Sequence, residues 1–461
     1  MNCRSLLLTA FLCLPVLTGW TQEKISGTLK LGGYECENRG RCIDCDYSND
    51  TLRGSQTNFA CIDFLGMTGF VHSRLHSPAD FRLAQFHSPA SFQFAQFHST
   101  AYFLRTQFNS IADFHFAQFG YTVDFNEAQF HSIADFLRTQ FNFPANFSFT
   151  RFRSTAYFHQ TQFYAPVNFY HAQFDSTADF SHVRFHSKVD FSNAIFLDVP
   201  RFLQAQLPDT LVFTEINLNG IEENVDFREF VLDSLRKRQG HDAKCRLYLD
   251  GISPNNLAKL IIPFNLFELD FPDSTYVSNA TPFPYAEKEV IYETVIKKCR
   301  DVGMMESVQG WSIAYQKFQN EHEFGSIGIL FNWLNETWWN FGYAKWRILY
   351  LWTPFFFIVF CLINYLTLES QLRRLYFDPT IGQNYRDTKL ENPTEMIDYF
   401  AKDRWEKLAY TLHYTGVIFF GIKVKHEALN FRSFGWVLYF YLVFIVGILH
   451  LAFSFNYIVS R

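Results

Sequence analysis

Cysteines are the first residues here whose type and spacing could do chemistry. Cys36, Cys42 and Cys45 crowd a polar stretch, Cys61 follows closely, and Cys245 and Cys299 lie further on. In an exported chain these six would favour disulfides. The rival reading is a metal knuckle around Cys42–Ile43–Asp44–Cys45. It lacks a second pair at zinc-finger spacing, so disulfides among Cys36, Cys42, Cys45 and Cys61 are expected. Ten of the fifteen histidines fall between residues 57 and 221, and His76, His87, His98 and His131 share one position of a repeat. Stacked imidazoles would suit metal or proton sensing. The same position also takes Asn109, Gly120 and Asn142, which fits an exposed corner and is the reading followed. There is no Gly-rich phosphate loop, His-Glu-x-x-His or nucleophile elbow, so neither an enzyme nor a cofactor is expected.

These residues must be placed by a chain of 461 residues in which Phe occupies 56 positions and charged residues make up 18%. So aromatic a composition excludes a disordered chain. A net charge of −5 argues against a nucleic-acid partner. Residues 1–22 have the order of a secretory signal peptide: Arg4, an apolar run from Leu6 to Leu17, then small and polar residues. Residues 23–56 then form a Cys-rich N-terminal cap.

From residue 57 to 221 the chain repeats every eleven residues, as fifteen units with thirty centres. Twenty-seven centres are Phe; the others are Leu75, Leu207 and Leu218. Two residues before each centre stands a small or β-branched residue, and the residue between is mostly Asp, Asn or Gln. Apolar, polar, apolar predicts a short strand with one buried face. Stacked units would bury a continuous aromatic ladder.

The alternation Ala-Asp-Phe-x-x, Ala-Gln-Phe-x-x-x resembles the pentapeptide-repeat family, with a sixth residue in every second unit and Phe in place of Leu. That resemblance implies a right-handed quadrilateral β-helix, one unit per side. A coil would take twenty-two residues, although an eleven-residue coil is left open. Some family members imitate DNA. Here twelve acids against nine Lys and Arg in the tract, together with export, argue against that role.

Residues 222–283 read as a mixed α/β cap, with a helix from Asp226 to Arg238, and residues 284–345 as a helical membrane-proximal region containing a hairpin. Trp333, Trp338, Trp339, Phe341, Tyr343 and Trp346, with Lys345 and Arg347, suit a membrane interface. Two transmembrane helices are expected at 346–368 and 434–459, each long enough to cross ~30 Å of hydrocarbon. Between them lie a connecting loop, 369–407, and a short apolar helix, 408–425, too short to span.

That order is similar to a two-helix, pore-loop ion-channel domain found after pentapeptide repeats in some bacterial membrane proteins. Asn340–Phe341–Gly342–Tyr343 and Phe419–Phe420–Gly421 carry the resemblance. It implies pore-lining roles for Thr415, Gly416, Phe419, Phe420 and Gly421. His450, central in the second span, is weighed between an interhelical hydrogen bond and the pore, whereas Asn364 and Asn456 lie near span ends and could reach headgroups. The expected protein is thus a channel-like homo-oligomer, a tetramer by analogy, in the lipid bilayer. The alternative is a membrane-anchored scaffold whose solenoid offers a protein or surface ligand its face. The solenoid would lie outside the cytoplasm, with residues 369–435, which hold ten Lys and Arg, inside.

Overall fold

The computed structural model describes residues 25–31, 34–232, 244–271, 284–375, 404–421 and 434–459. The signal segment 1–22 and most of the 369–407 loop fall outside them. Two compact units meet in sequence between Tyr315 and Gln316.

In the first unit the eleven-residue period becomes two-residue strands stacked in parallel in four sheets, which together with flanking strands at their ends hold nine, seven, nine and six strands. Each strand pairs with the one 22 residues later, as in Gln96↔Gln118 and Gln118↔Gln140. The coil is therefore twenty-two residues, two sequence periods. All thirty centres are buried, none more than 3% exposed. Phe81, Phe103, Phe125 and Phe147 stack face to face with centroids 4.6–4.9 Å apart. Neighbouring columns meet edge-on, as Phe81 and Phe92 do at 5.5 Å and 90°. Both geometries suit the aromatic quadrupole. Small residues two before each centre leave room for these rings. Where Thr takes that place, its hydroxyl would be stranded, and it donates instead to a carbonyl of the preceding coil: Thr106 to Phe81, Thr139 to Phe114, Thr161 to Phe136.

Both ends of the ladder are covered. An antiparallel hairpin, Ile25–Leu31 with Tyr34–Cys42, joins one sheet at Gly40↔Ile62, and Tyr47 stacks on Phe70 at 4.8 Å. Cys42 and Cys45 lie with Cα atoms 6.1 Å apart, within reach of a disulfide. Cys36 lies in the hairpin strand. Cys245 and Cys299 are buried thiols, and burial pushes Cys299 up to about 11.

In the described part of the expected cap at 222–283, strands continue the pairing of one solenoid sheet. Thr210–Val212 pairs with Cys245–Tyr248, which pairs with Phe267–Leu269. Of the helix expected from Asp226 to Arg238, residues 233–238 lie outside the described residues, and no α-helix is present over 226–232. A 3-10 turn, Phe227–Glu229, gives way to extended chain, because Phe227 and Phe230 are both drawn into the ladder. Helix α1 (Tyr285–Asp301) and the start of α2 (Met305–Phe324) close this end. Trp311 there is buried against Phe264 and donates to the Ile262 carbonyl. A Cβ on Gly310 would lie 2.0 Å from the Phe264 ring, so only glycine lets the helix approach.

The second unit holds the rest of α2, then α3 (Ser326–Trp338), α4 (Thr353–Leu375), α5 (Arg404–Phe419) and α6 (Phe434–Val459). A π-turn, Ile348–Trp352, precedes α4. Pro354 has no N–H to donate and would crowd the carbonyl one turn back, and the widened turn makes room for it. Ile348–Thr367 and Phe434–Val459 are long and apolar enough to cross a membrane. The short apolar helix is described over Arg404–Phe419 and is followed by the turn at Phe420–Gly421; residues 422–425 of its expected range lie outside the described residues.

Candidate functional site

The outward residue of each solenoid strand explains why Asp or Asn alternates with Gln. Asp113, Asp124, Asp135 and Asn146 each accept the N–H two residues on, from His115, Asn126, Leu137 and Ser148. A side chain one methylene longer than Asp overshoots that N–H, so Gln stands on the sides without this turn. The turns that follow put every eleventh residue from Cys61 to Glu215 in the left-handed region, and none of these is glycine. Each such residue costs ~1–2 kcal/mol relative to a right-handed one. The conformation throws these side chains onto the outer edges, where they stack coil on coil. His72, Phe94 and Phe116 stack at 4.6 and 4.8 Å, and the Arg138 guanidinium lies 5.3 Å from the Phe116 ring centre. On another edge Arg105 pairs with Glu127 at 2.7 Å. His76 and His98 stack at 4.5 Å, as a twenty-two-residue coil requires. The outer face also brings Asp113, His115 and Asp135 together, with potential ligand atoms within 4.8 Å. Burial, and then the neighbouring Asp113, hold the Asp135 carboxyl above its ordinary range against the pull of the Leu137 N–H and His115.

Within the second unit, polar side chains gather between α4, α5 and α6. Asn364 donates to Thr415 Oγ1 at 2.8 Å, and its Oδ1 accepts from Tyr439 at 2.9 Å and Gln371 at 2.9 Å. Gln371 also donates to Thr367 and accepts from Tyr414. Asn364 is therefore a buried junction of three helices and not a headgroup contact. It stands apart from the residues of the pore-loop resemblance, and its lone polarity within an apolar run was the signal for it. Asn456 accepts from Lys345.

Thr415 and Phe419 are fully buried, and Phe420 is exposed. Nothing approaches Gly416, while Gly421 is left-handed at φ +66°. A Cβ on Gly447 would meet the Phe419 carbonyl at 1.7 Å, so α5 ends directly against the α6 backbone. His450 bonds the Val446 carbonyl of its own helix and packs on Trp338 and Phe356, with centroids 5.1 Å away in each case. Trp333, Tyr343 and Trp346 face outward, whereas Trp338 stacks on Trp352 and Trp339 meets Phe453 edge-on. A half-open cavity of about 490 Å³ lies beside Lys345, Asn335, Trp339, Phe341, Phe453 and Asn456.

The sequence profile of pentapeptide repeats, nine copies of the unit, matches residues 136–184, inside the tract of strict alternation. The solenoid is a pentapeptide-repeat domain. Among curated proteins and solved structures, nothing matches the chain. Pentapeptide-repeat solenoids form a structural family and not a catalytic one, so any function of this domain belongs to its outer face. There the sequence identified the histidine column. It missed the left-handed edges, because glycine, their usual marker, is absent from them.

Proposed function

We propose that the chain is a membrane-anchored scaffold. Its three apolar helices sit in a bilayer and its pentapeptide-repeat solenoid, four-sided in section, is presented outside the cytoplasm to a protein or surface ligand. One observation carries this reading: the second unit buries hydrogen-bonded polar side chains beside an apolar cluster of Phe360, Ile418, Phe419, Phe440 and Val443, and leaves large apolar side chains on its outside. Asn364, Gln371, Thr415 and His450 are at most 1% exposed, while Ile358, Leu362, Leu366 and Ile445 are 53–71% exposed. Water would drive the opposite arrangement. Hydrocarbon favours it, because a polar side chain in lipid needs a partner within the protein. The 26 residues of α6 supply ~39 Å of helix against ~30 Å of hydrocarbon.

An oligomeric pore would require Thr415, Phe419 and His450 to face a path between copies. All three are already engaged within one chain, which favours the scaffold. The disulfides among Cys36, Cys42, Cys45 and Cys61 belong to the same proposal, since an oxidising compartment is where the solenoid would lie. Membranes carrying the full chain are washed at alkaline pH and treated with protease from each side. Retention in the membrane with the solenoid cleaved only from the non-cytoplasmic side supports the reading. Release into the wash ends it. A conducting ring of copies in planar bilayers would restore the pore.

A further inference from the structure

We propose that Asp113, His115 and Asp135 form a divalent-cation site on the outer face of the solenoid, with a donor set suited to zinc-like ions. Asp113 and Asp135 are directly in register on neighbouring parallel strands. Two carboxylates placed side by side on one face repel each other. In the outward columns of the regular tract, this is the one place where two aspartates meet. Elsewhere an aspartate has its own relief. Asp80 is paired with Arg82, Asp190 with Lys188, and Asp124 accepts from the Asn146 amide. Among the described residues no Lys or Arg forms an ion pair with Asp113 or Asp135. The pair is left with the Gln93 amide on Asp113 and the nearby imidazole.

His115 supplies an observation independent of the carboxylates. Its Nε2 is buried and has no hydrogen-bond partner among the described residues. Its ring is laid flat on Phe116 at 4.3 Å, which limits how far it can turn away. The carboxylates are oriented as well, since the His115 and Leu137 N–H groups each hold one oxygen. Two carboxylate oxygens and one imidazole nitrogen on a half-open face leave a position for water. That is the three-ligand arrangement of an open zinc site. Calcium, which takes six to eight oxygens, is poorly served by three ligands that include a nitrogen. A bound ion would neutralise the repelling pair and tie two coils together.

The test uses the full chain in detergent, stripped of metal by chelator and titrated calorimetrically with Zn²⁺ alone. Co²⁺ absorption serves as a second readout of coordination. The variants are Asp135→Asn, which keeps the Leu137 contact, and His115→Gln. The control is His98→Ala, which disrupts the stacked His76–His98 pair. Thermal unfolding without metal shows that each variant folds. The expected result is loss of one bound equivalent, or affinity weakened roughly tenfold or more, in both site variants, with the control unchanged. Equal stoichiometry and affinity in all four proteins would overturn the proposal. So would loss confined to His98→Ala, which would place the ion on the histidine column, or absence of Zn²⁺ binding to the unsubstituted chain.

Discussion

The two units divide their polar and apolar side chains differently. The pentapeptide-repeat domain is filled with phenylalanine stacked on itself, and threonines such as Thr106 and Thr139 that enter it turn their hydroxyls to backbone carbonyls. The helical unit buries Asn364, Gln371 and Thr415 beside an apolar cluster that includes Phe360, Phe419 and Phe440, and carries leucine, isoleucine and phenylalanine on its surface. The contrast shows how each interior is held. In the solenoid the hydrophobic effect supplies the drive, and register follows from repetition. In the helical unit many apolar side chains lie outward, so side-chain hydrogen bonds and close backbone approach, as at Gly447, join the buried apolar cluster in holding the helices to one another.

The sharpest way to break this contrast is to put a charge into the ladder. Phe136 is fully buried between Phe114 and Phe158. Phe136→Asp should destabilise the solenoid by several kcal/mol, on the order of 4 or more, seen as early thermal unfolding and new proteolytic cleavage in the repeats. The opposite substitution belongs in the other unit. Asn364→Leu would make that interior more apolar yet leave the Thr415, Tyr439 and Gln371 groups unmatched. It should cost about 1–3 kcal/mol, read from thermal unfolding in detergent. If Asn364→Leu stabilised the unit, the helical core would be an ordinary hydrophobic one.

A third prediction concerns pH. Burial raises the Asp250 carboxyl to about 6 from the usual 3.8, with Lys288 pulling it back. Below 3.8 the group is protonated both folded and unfolded and contributes no pH dependence. As pH rises toward 6 the unfolded chain gives up its proton first, so solenoid stability falls across that window and stays lower above it. Asp250→Asn should abolish this slope and raise the melting temperature at neutral pH, with no gain at the acid end. The smallest effect is expected outside the ladder. Gln140, on an outward strand position, should tolerate alanine within about 0.5 kcal/mol. Equal damage from Gln140→Ala and Phe136→Asp would mean that the faces of the strand had been exchanged.

The solenoid was legible because its signal is repeated. Spacing alone gave thirty centres and strands with one buried face, and the structure buries every centre. Spacing did not choose between coils of eleven and twenty-two residues, since both preserve the alternation. The choice rests on backbone pairing at 22. The ends were less legible. Phe227 and Phe230 sit three apart, as on a helix, yet the ladder takes both. In the helical unit, length and hydropathy pointed to both long helices, but single residues misled. Asn364 was placed near a span end, and only packing shows it facing two other helices. The Asp113–Asp135 contact was hidden because it depends on which strands become neighbours.

The helical unit is expected to face lipid where the solenoid faces water. Single spin labels at Ile358, Ile445, Gln140 and Tyr121 of the full chain, reconstituted in liposomes, test it through accessibility to oxygen and to a water-soluble nickel chelate. The account predicts that the labels at 358 and 445 are open to oxygen and closed to nickel, and that those at 140 and 121 are open to nickel. Nickel access at 358 and 445 would contradict it, and so would protection of both from either reagent.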